Sequence, residues 1–186
     1  MSDLPYDFYT KEVYEHFHNP RHAGRLKNPT VIGEVGNLAC GDLMRIYLIV
    51  EKNKQGQPYI KDISFETYGC AAAIATSSIT TDLAIGKTLD KALKITKEKV
   101  IKALTDLPPQ KIHCSILATD ALLEAVYNYY VAEKMPISED LKKKHQIIKN
   151  NQELLMKRYE QWTQAQSPDE VAAAACAVAG DEKQNK

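Results

Sequence analysis

The chain has 186 residues with 24 basic and 24 acidic side chains, so its formal net charge is zero. Binding nucleic acid by bulk electrostatics needs a basic surplus that displaces counterions, so this balance argues against a nucleic-acid partner. Hydrophobic residues make up 44% and charged residues 26% of the chain, which is typical of a globular protein and argues against wholesale disorder.

The first part of the chain predicts one short helix followed by strands. Apolar residues at helical spacing predict a helix over residues 6–18. The stretch 19–36 is rich in Pro, Gly and Asn, which predicts a loop with an edge strand over 31–35. Alternating apolar residues predict strands over 44–50 and 62–67, and the polar turn between them predicts a hairpin.

Helices fill the chain from there to about residue 134. The predicted helices cover residues 71–85, 89–95, 97–104 and 115–133. On the last of them we expect Ile116 to face the core, together with Ala121, Leu122, Ala125 and Val126. Strands first and helices afterwards indicate an α+β domain over residues 1–134, in which a small antiparallel sheet of about three strands packs against a helical layer.

The remaining residues, 135–186, predict a helical C-terminal extension. A charged helix is predicted over 138–163, with an apolar stripe at Leu141, Ile148, Leu155, Tyr159 and Trp162. A short Ala-rich helix over 171–179 follows, and we interpret its Cys176 as a small helix residue.

Three of the four cysteines lie where predicted elements begin or end. Cys40 precedes the first central strand, Cys70 lies between a strand and a helix, and Cys114 lies at the start of the long helix. We therefore expect these thiols on loops or helix tips rather than in the core. A helix N-terminus favours the thiolate, which is the form that binds metal ions and attacks sulfur.

Two polar residues near these cysteines would complete a soft-metal site. Asp42 lies two residues after Cys40, and His113 adjoins Cys114. Three thiolates with a carboxylate or an imidazole suit zinc or an iron–sulfur cluster. The cysteines are 30 and 44 residues apart, with no CxxC motif, so three unrelated cysteines remain an alternative from spacing alone.

Four segments of the chain, in order, resemble the IscU family of iron–sulfur cluster assembly scaffolds, which is related to the N-terminal domain of NifU. The resemblance covers about two-thirds of the chain. The segments are Tyr9-Thr10-Lys11-Glu12-Val13 with Asn19-Pro20-Arg21, Ala39-Cys40-Gly41-Asp42, Thr67-Tyr68-Gly69-Cys70-Ala71-Ala72-Ala73-Ile74-Ala75, and Leu107-Pro108-Pro109-Gln110-Lys111-Ile112-His113-Cys114-Ser115-Ile116-Leu117-Ala118.

The resemblance implies a carrier rather than an enzyme. It implies that a cysteine desulfurase delivers sulfur, that a [2Fe–2S] cluster is built from it with iron, and that the cluster passes to apo-acceptor proteins. Cys40, Cys70 and Cys114 match the cluster cysteines, and Cys114 also matches the persulfide acceptor. Asp42 matches an acidic residue tied to cluster lability, and His113 matches the histidine beside the third cysteine. The fourth ligand, Asp42 or His113, stays open, as does zinc in the cluster-free form.

Two further positions bear on partners. Tyr9 matches a tyrosine implicated in self-association of some members, so the resemblance leaves a homodimer open. Gln110 stands where the proline motif recognised by a dedicated Hsp70-type chaperone normally has valine, which makes that partnership doubtful.

Two other functions compete with the scaffold. One is a structural module that holds zinc permanently at Cys40, Asp42, Cys70 and Cys114. The other is an enzyme with Cys114 as nucleophile and His113 as base, which is disfavoured because adjacent residues of a helix do not face each other.

The cellular setting is predicted from features that the sequence lacks. Four cysteines are too sparse for a disulfide-rich secreted scaffold, and no apolar run approaches the ~20 residues of a membrane span. Residues 1–7 lack the pattern of a signal peptide. We therefore expect a cytoplasmic protein without a membrane partner.

His16, His18 and His22 have polar neighbours in the sequence, so we expect them at the surface.

Overall fold

Three antiparallel strands form one sheet in the order β1–β2–β3. Their bounds are Val31–Asn37 for β1, Asp42–Lys52 for β2 and Pro58–Tyr68 for β3. This is a computed structural model, and it describes residues 8–37 and 42–165. The hairpin of β2 and β3 and the strand β1 are confirmed, and both hairpin strands are longer than predicted.

The register brings one end of all three strands together. Asn37 pairs with Asp42 across β1 and β2, and Leu43 pairs with Tyr68 across β2 and β3. The first residue of β2 and the last residue of β3 therefore lie at the same end of the sheet. That end is where the chain passes from β3 into the following helix.

The described chain also contains six helices and one short 3₁₀ turn. The 3₁₀ turn covers Pro109–Lys111, and the helices are α1 (Lys11–His18), α2 (Ala71–Ala84), α3 (Leu89–Ala92), α4 (Lys97–Ala103), α5 (Ile112–Ala132) and α6 (Glu139–Ala165). The helices predicted within the described residues are present, and the α+β class is confirmed. None of the helices within residues 8–37 and 42–165 has the length and apolar character needed to cross a bilayer.

Two helix boundaries differ from prediction for local reasons. Helix α1 begins at Lys11 because Thr10 is its N-cap and accepts a hydrogen bond from the Val13 amide. Helix α5 begins at Ile112 because the 3₁₀ turn opened by Pro109 leads directly into it. The earlier start places Cys114 inside the first turn of α5 instead of before it.

Helix α5 lies very close to β1 because Gly33 has no side chain. A Cβ at Gly33 would lie 2.1 Å from the Ala121 carbonyl oxygen and 2.3 Å from the Ala125 amide nitrogen. Four of the predicted inward residues of α5 are buried, namely Ala121, Leu122, Ala125 and Val126. The prediction is wrong for Ile116, which is 36% exposed, because that side of α5 faces a groove toward α6.

Helix α6 packs on α5 through apolar, aromatic and ionic contacts. Leu141 and Ile148 of the predicted stripe are buried. The His145 ring stacks on Tyr127 with centroids 3.7 Å apart, and its Nδ1 lies 2.7 Å from a carboxylate oxygen of the buried Glu124. The side chains of Leu155, Tyr159 and Trp162, and the predicted helix with Cys176, lie outside the described residues.

One of the three N-terminal histidines is not at the surface. His16 is buried, and its Nδ1 lies 2.8 Å from the Ser78 hydroxyl on α2. Burial lowers the pKa of His16, and the neighbouring Arg21 lowers it further. The surface prediction is wrong there because α1 packs against small side chains of α2. His18 is exposed and His22 is partly exposed.

Candidate functional site

Asp42, Cys70 and Cys114 converge at the end of the sheet where β2 begins and β3 ends. Asp42 is the first residue of β2, Cys70 is the N-cap of α2, and Cys114 lies in the first turn of α5. One ligand atom from each lies within 4.8 Å of the others. Residues far apart in the sequence thus form one group with metal-ligating atoms.

The spacing of these atoms fits a shared metal ion. The two Sγ atoms are 3.6 Å apart, far beyond the ~2.05 Å of a disulfide. A tetrahedral ion with metal–sulfur bonds of ~2.3 Å would hold two thiolates about 3.8 Å apart. The Asp42 Oδ2 atom lies 3.9 Å from the Cys114 Sγ. The donors are two soft thiolates and one hard carboxylate, a combination that suits iron or zinc.

The site is more enclosed than the sequence predicts. Cys114 is fully buried, Asp42 is 8% exposed, and Cys70 is partly exposed. Cys114 lies at the N-terminal tip of α5 as predicted, but the expectation that it stays out of the core is wrong, because its side chain is fully buried. Tyr9 lies nearby: burial raises the pKa of its phenol, and the Cys70 and Cys114 thiols raise it further.

Two helix N-termini meet at this site. Cys70 precedes the 14-residue helix α2, and Cys114 is the third residue of the 21-residue helix α5. Each N-terminus carries partial positive charge from aligned peptide dipoles. Cys70 makes no side-chain capping hydrogen bond. The arrangement therefore favours negatively charged ligands, and it leaves the Cys70 sulfur available for a metal ion.

The two remaining predicted ligands are not in this group. Cys40 lies outside the described residues, two positions before Asp42 in the sequence. Within the described part of the chain, His113 does not join the ligand atoms. Its side chain borders a separate cavity of about 280 Å³ between β1, α5 and α6. Consecutive helical residues point about 100° apart, so this divergence from Cys114 could have been inferred from the sequence.

Asp120 borders the same cavity as His113 and was not identified from the sequence. Burial and, to a smaller extent, the Glu124 carboxylate one turn away raise the pKa of the Asp120 carboxyl to about 6. The i,i+4 spacing of the two acids was visible in the sequence. The burial was not, because it depends on the packing around the groove between α5 and α6.

Replacing Asp120 with asparagine should stabilise the protein at neutral pH. The folded-state pKa lies above the ~3.9 of the unfolded chain, so the folded state binds this proton more tightly. The free energy of unfolding therefore falls as pH rises from about 4 to about 6, by about 2–3 kcal/mol, and is then constant. Urea denaturation at pH 4 and pH 8 measures this, and Asp120→Asn should gain stability only at pH 8. An equal effect at both pH values would contradict it.

Comparison with known proteins points to one family. The sequence model of the family described as "NifU-like N terminal domain" matches residues 8–135 of this chain. "Iron-sulfur cluster assembly scaffold protein IscU 1" of Archaeoglobus fulgidus is 52% identical over 122 residues, covering 66% of this chain and 76% of that protein. "Iron-sulfur cluster assembly scaffold protein IscU" of Azotobacter vinelandii is 46% identical over 124 residues, covering 65% of this chain and 93% of that protein.

A solved structure supports the fold. The crystal structure of the SUF-system protein FiSufU from Fervidobacterium islandicum AW-1 superposes with a TM-score of 0.54. The superposition covers 66% of this chain and 99% of FiSufU, at 22% sequence identity. The α+β arrangement of the described residues is therefore shared with that protein.

Proposed function

The chain belongs to the NifU-like N-terminal domain family, as an iron–sulfur cluster assembly scaffold of the IscU type, and on that premise we propose that it builds a labile [2Fe–2S] cluster and hands it on. The observation that carries the proposal is the convergence of Asp42, Cys70 and Cys114 within 4.8 Å. The cluster is the cargo of the protein, so its ligands must both hold it and release it.

We assign three thiolates and one carboxylate to the cluster. Cys70 and Cys114 supply two of the thiolates, and Cys40 supplies the third from the chain segment just before Asp42. Asp42 is the fourth ligand, which the position of His113 beside a different cavity supports. A carboxylate is a weaker partner for iron than a fourth thiolate, and protonation can remove it. Zinc can occupy the same ligands in the cluster-free form.

Sulfur delivery follows from thiol chemistry at Cys114. A cysteine desulfurase carries a sulfane sulfur as a persulfide on its own cysteine. The Cys114 thiolate attacks that outer sulfur, a new S–S bond forms on Cys114, and the S–S bond on the desulfurase breaks to leave its cysteine as thiolate. In this role the chain is a carrier that accepts sulfur and later donates a cluster to an apo-acceptor protein.

The proline motif and Tyr9 form one groove on the surface. Residues Leu107, Pro108, Pro109 and Gln110 line this groove of about 430 Å³ together with Tyr9. Gln110 places an amide where an apolar residue would otherwise pack. This argues against a dedicated Hsp70-type chaperone as partner. We place the whole cycle in the reducing cytoplasm, where thiols stay available for metal ions.

Anaerobic reconstitution tests the proposal. The full chain is incubated with ferrous iron, cysteine, a cysteine desulfurase and a thiol reductant, which reduces the persulfide sulfur to sulfide, and then with an apo-ferredoxin. We expect visible absorption of a [2Fe–2S] cluster that moves to the ferredoxin, and size-exclusion chromatography of the loaded protein reports whether a homodimer forms. A protein that keeps one tightly bound zinc ion and transfers nothing would support the structural zinc module instead.

A further inference from the structure

Gly69 lies at the junction of β3 and α2, directly before Cys70. It does not adopt the left-handed φ that favours glycine, so the backbone alone does not require this residue type. A Cβ at this position would lie 2.8 Å from the Ala73 Cβ, 3.0 Å from the Asp42 Cγ and 3.2 Å from the Asp42 Oδ2. These contacts are shorter than the ~3.5–4.0 Å of ordinary carbon packing.

We propose that Gly69 is a positioning residue whose missing side chain leaves the space for the Asp42 carboxylate beside the Cys70 and Cys114 thiols. Gly69 itself contacts no cargo and acts only through Asp42. The inference rests on the proposed function in one respect, since it takes Asp42 to be a metal ligand. It adds that the position of this ligand is fixed from the junction of β3 and α2, beside the strand that carries Asp42.

The direction of the expected displacement follows from what surrounds Gly69. On one side is the Ala73 Cβ, which is attached rigidly to the backbone of α2 and is fully buried. On the other side is the Asp42 carboxylate, which can move by rotation about one side-chain bond. A methyl group at position 69 would therefore displace the carboxylate more readily than the helix.

Gly36 provides a matched control at the same end of the sheet. It pairs with Leu43, next to Asp42, and a Cβ there would lie 3.6 Å from the Leu43 Cδ1, an ordinary packing distance. Gly36 does not have a left-handed φ either. Both glycines can therefore be changed to alanine without backbone strain, and only Gly69→Ala is crowded by a ligand.

Cobalt(II) binding to the full, cluster-free chain tests the inference. Thiolate-to-cobalt charge transfer and the tetrahedral visible bands report both affinity and ligand set. We expect Gly69→Ala to weaken binding by about 10- to 100-fold, the usual effect of changing a residue that orients a metal ligand. Gly36→Ala should bind as the wild type does. In an Asp42→Ala background, adding Gly69→Ala should change neither affinity nor spectrum.

A second variant separates the two crowded contacts. Ala73→Gly removes the closest contact, which is with the helix. Of the three nearest contacts, Gly69→Ala combined with Ala73→Gly therefore retains the two with Asp42. If Gly69→Ala alone fails to fold, the double variant takes its place in the cobalt measurement. We expect it to bind cobalt as weakly as Gly69→Ala, relative to an Ala73→Gly control. Recovery of wild-type affinity would show that the helix is displaced instead, and would overturn the inference.

The remaining outcomes keep the inference apart from the proposed function. Wild-type cobalt affinity in Gly69→Ala overturns the role of Gly69, even where the wild-type chain assembles and transfers a cluster. Equal losses in the wild-type and Asp42→Ala backgrounds also overturn it, and so does a wild-type chain that binds no cobalt. A loss of cobalt affinity in Gly69→Ala that disappears in the Asp42→Ala background would support the positioning role of Gly69. If the wild-type chain then transferred no cluster, the scaffold proposal alone would be contradicted.

Discussion

Replacing Cys114 with serine should abolish persulfide uptake from a cysteine desulfurase. The hydroxyl of serine stays protonated at neutral pH and cannot attack the sulfane sulfur, whereas a thiolate can. Cys114 is also fully buried, so docking of the desulfurase must open a path to its sulfur before transfer. We therefore expect transfer only in the complex, with small persulfide donors reacting slowly with the folded chain.

Intact-protein mass spectrometry measures this result. The full chain is mixed with the desulfurase and cysteine, and the mass of one added sulfur atom is followed with time. Cys176→Ser is the matched control, because it removes a thiol from the C-terminal extension and should leave uptake unchanged. Persulfide formation by Cys114→Ser at the wild-type rate would show that another cysteine accepts the sulfur.

Replacing Asp42 with alanine should slow transfer of an assembled cluster to an apo-acceptor by about 10- to 100-fold. The Cys114 thiol lies within donor distance of the Asp42 Oδ2, at 3.9 Å. Under the proposed function, an Asp42 that has been protonated and has left the iron would pass this proton to the Cys114 thiolate as the bond between iron and Cys114 breaks. General acids of this kind contribute 10²–10⁴-fold to rate. Only the buried Cys114 sulfur depends on Asp42 for its proton, since the partly exposed Cys70 sulfur can take one from water, so we expect a loss near the lower end of that range.

Two further variants make the test specific. Asp42→Cys should also slow transfer, because a fourth thiolate holds iron tightly. Asp62→Ala removes a carboxylate from the middle of β3, six residues before Tyr68, where Asp62 pairs with Ile49, and this variant should transfer at the wild-type rate. Transfer is followed by the circular dichroism of the acceptor's cluster. Unchanged kinetics in Asp42→Ala would contradict the role of Asp42 in release.

The sequence predicted the order of elements well because each element depends on local patterns. Alternation at Met44, Ile46 and Leu48 specifies a strand with one buried face, and all three side chains are fully buried in the structure. Helix α2 has no amphipathic pattern in the sequence, because its Ala, Ser and Thr residues are buried on several sides of the helix. Boundaries were less certain, since they depend on capping and on the turn before each helix.

The site was predicted in outline, and its details depended on tertiary contacts. The resemblance brought Cys70, Cys114 and Asp42 into one group, but their 3.6 Å and 3.9 Å separations come only from the packing of α2 and α5 on the sheet. The burial of Cys114 depends on a helix start three residues earlier than predicted. The crowding at Gly69 involves two different elements, so no local pattern signals it.

The convergence of Cys70 and Cys114 also means that a bound metal ion changes the stability of the folded chain. The two sulfurs are 44 residues apart in sequence, so a metal ion bonded to both closes a large loop. A covalent link across a loop of this size restricts the unfolded ensemble by about 4 kcal/mol, and a coordination bond acts in the same direction while it lasts. Under the proposed function, each loading event would cross-link the scaffold, and each handover would remove the cross-link and return the chain to its less stable state.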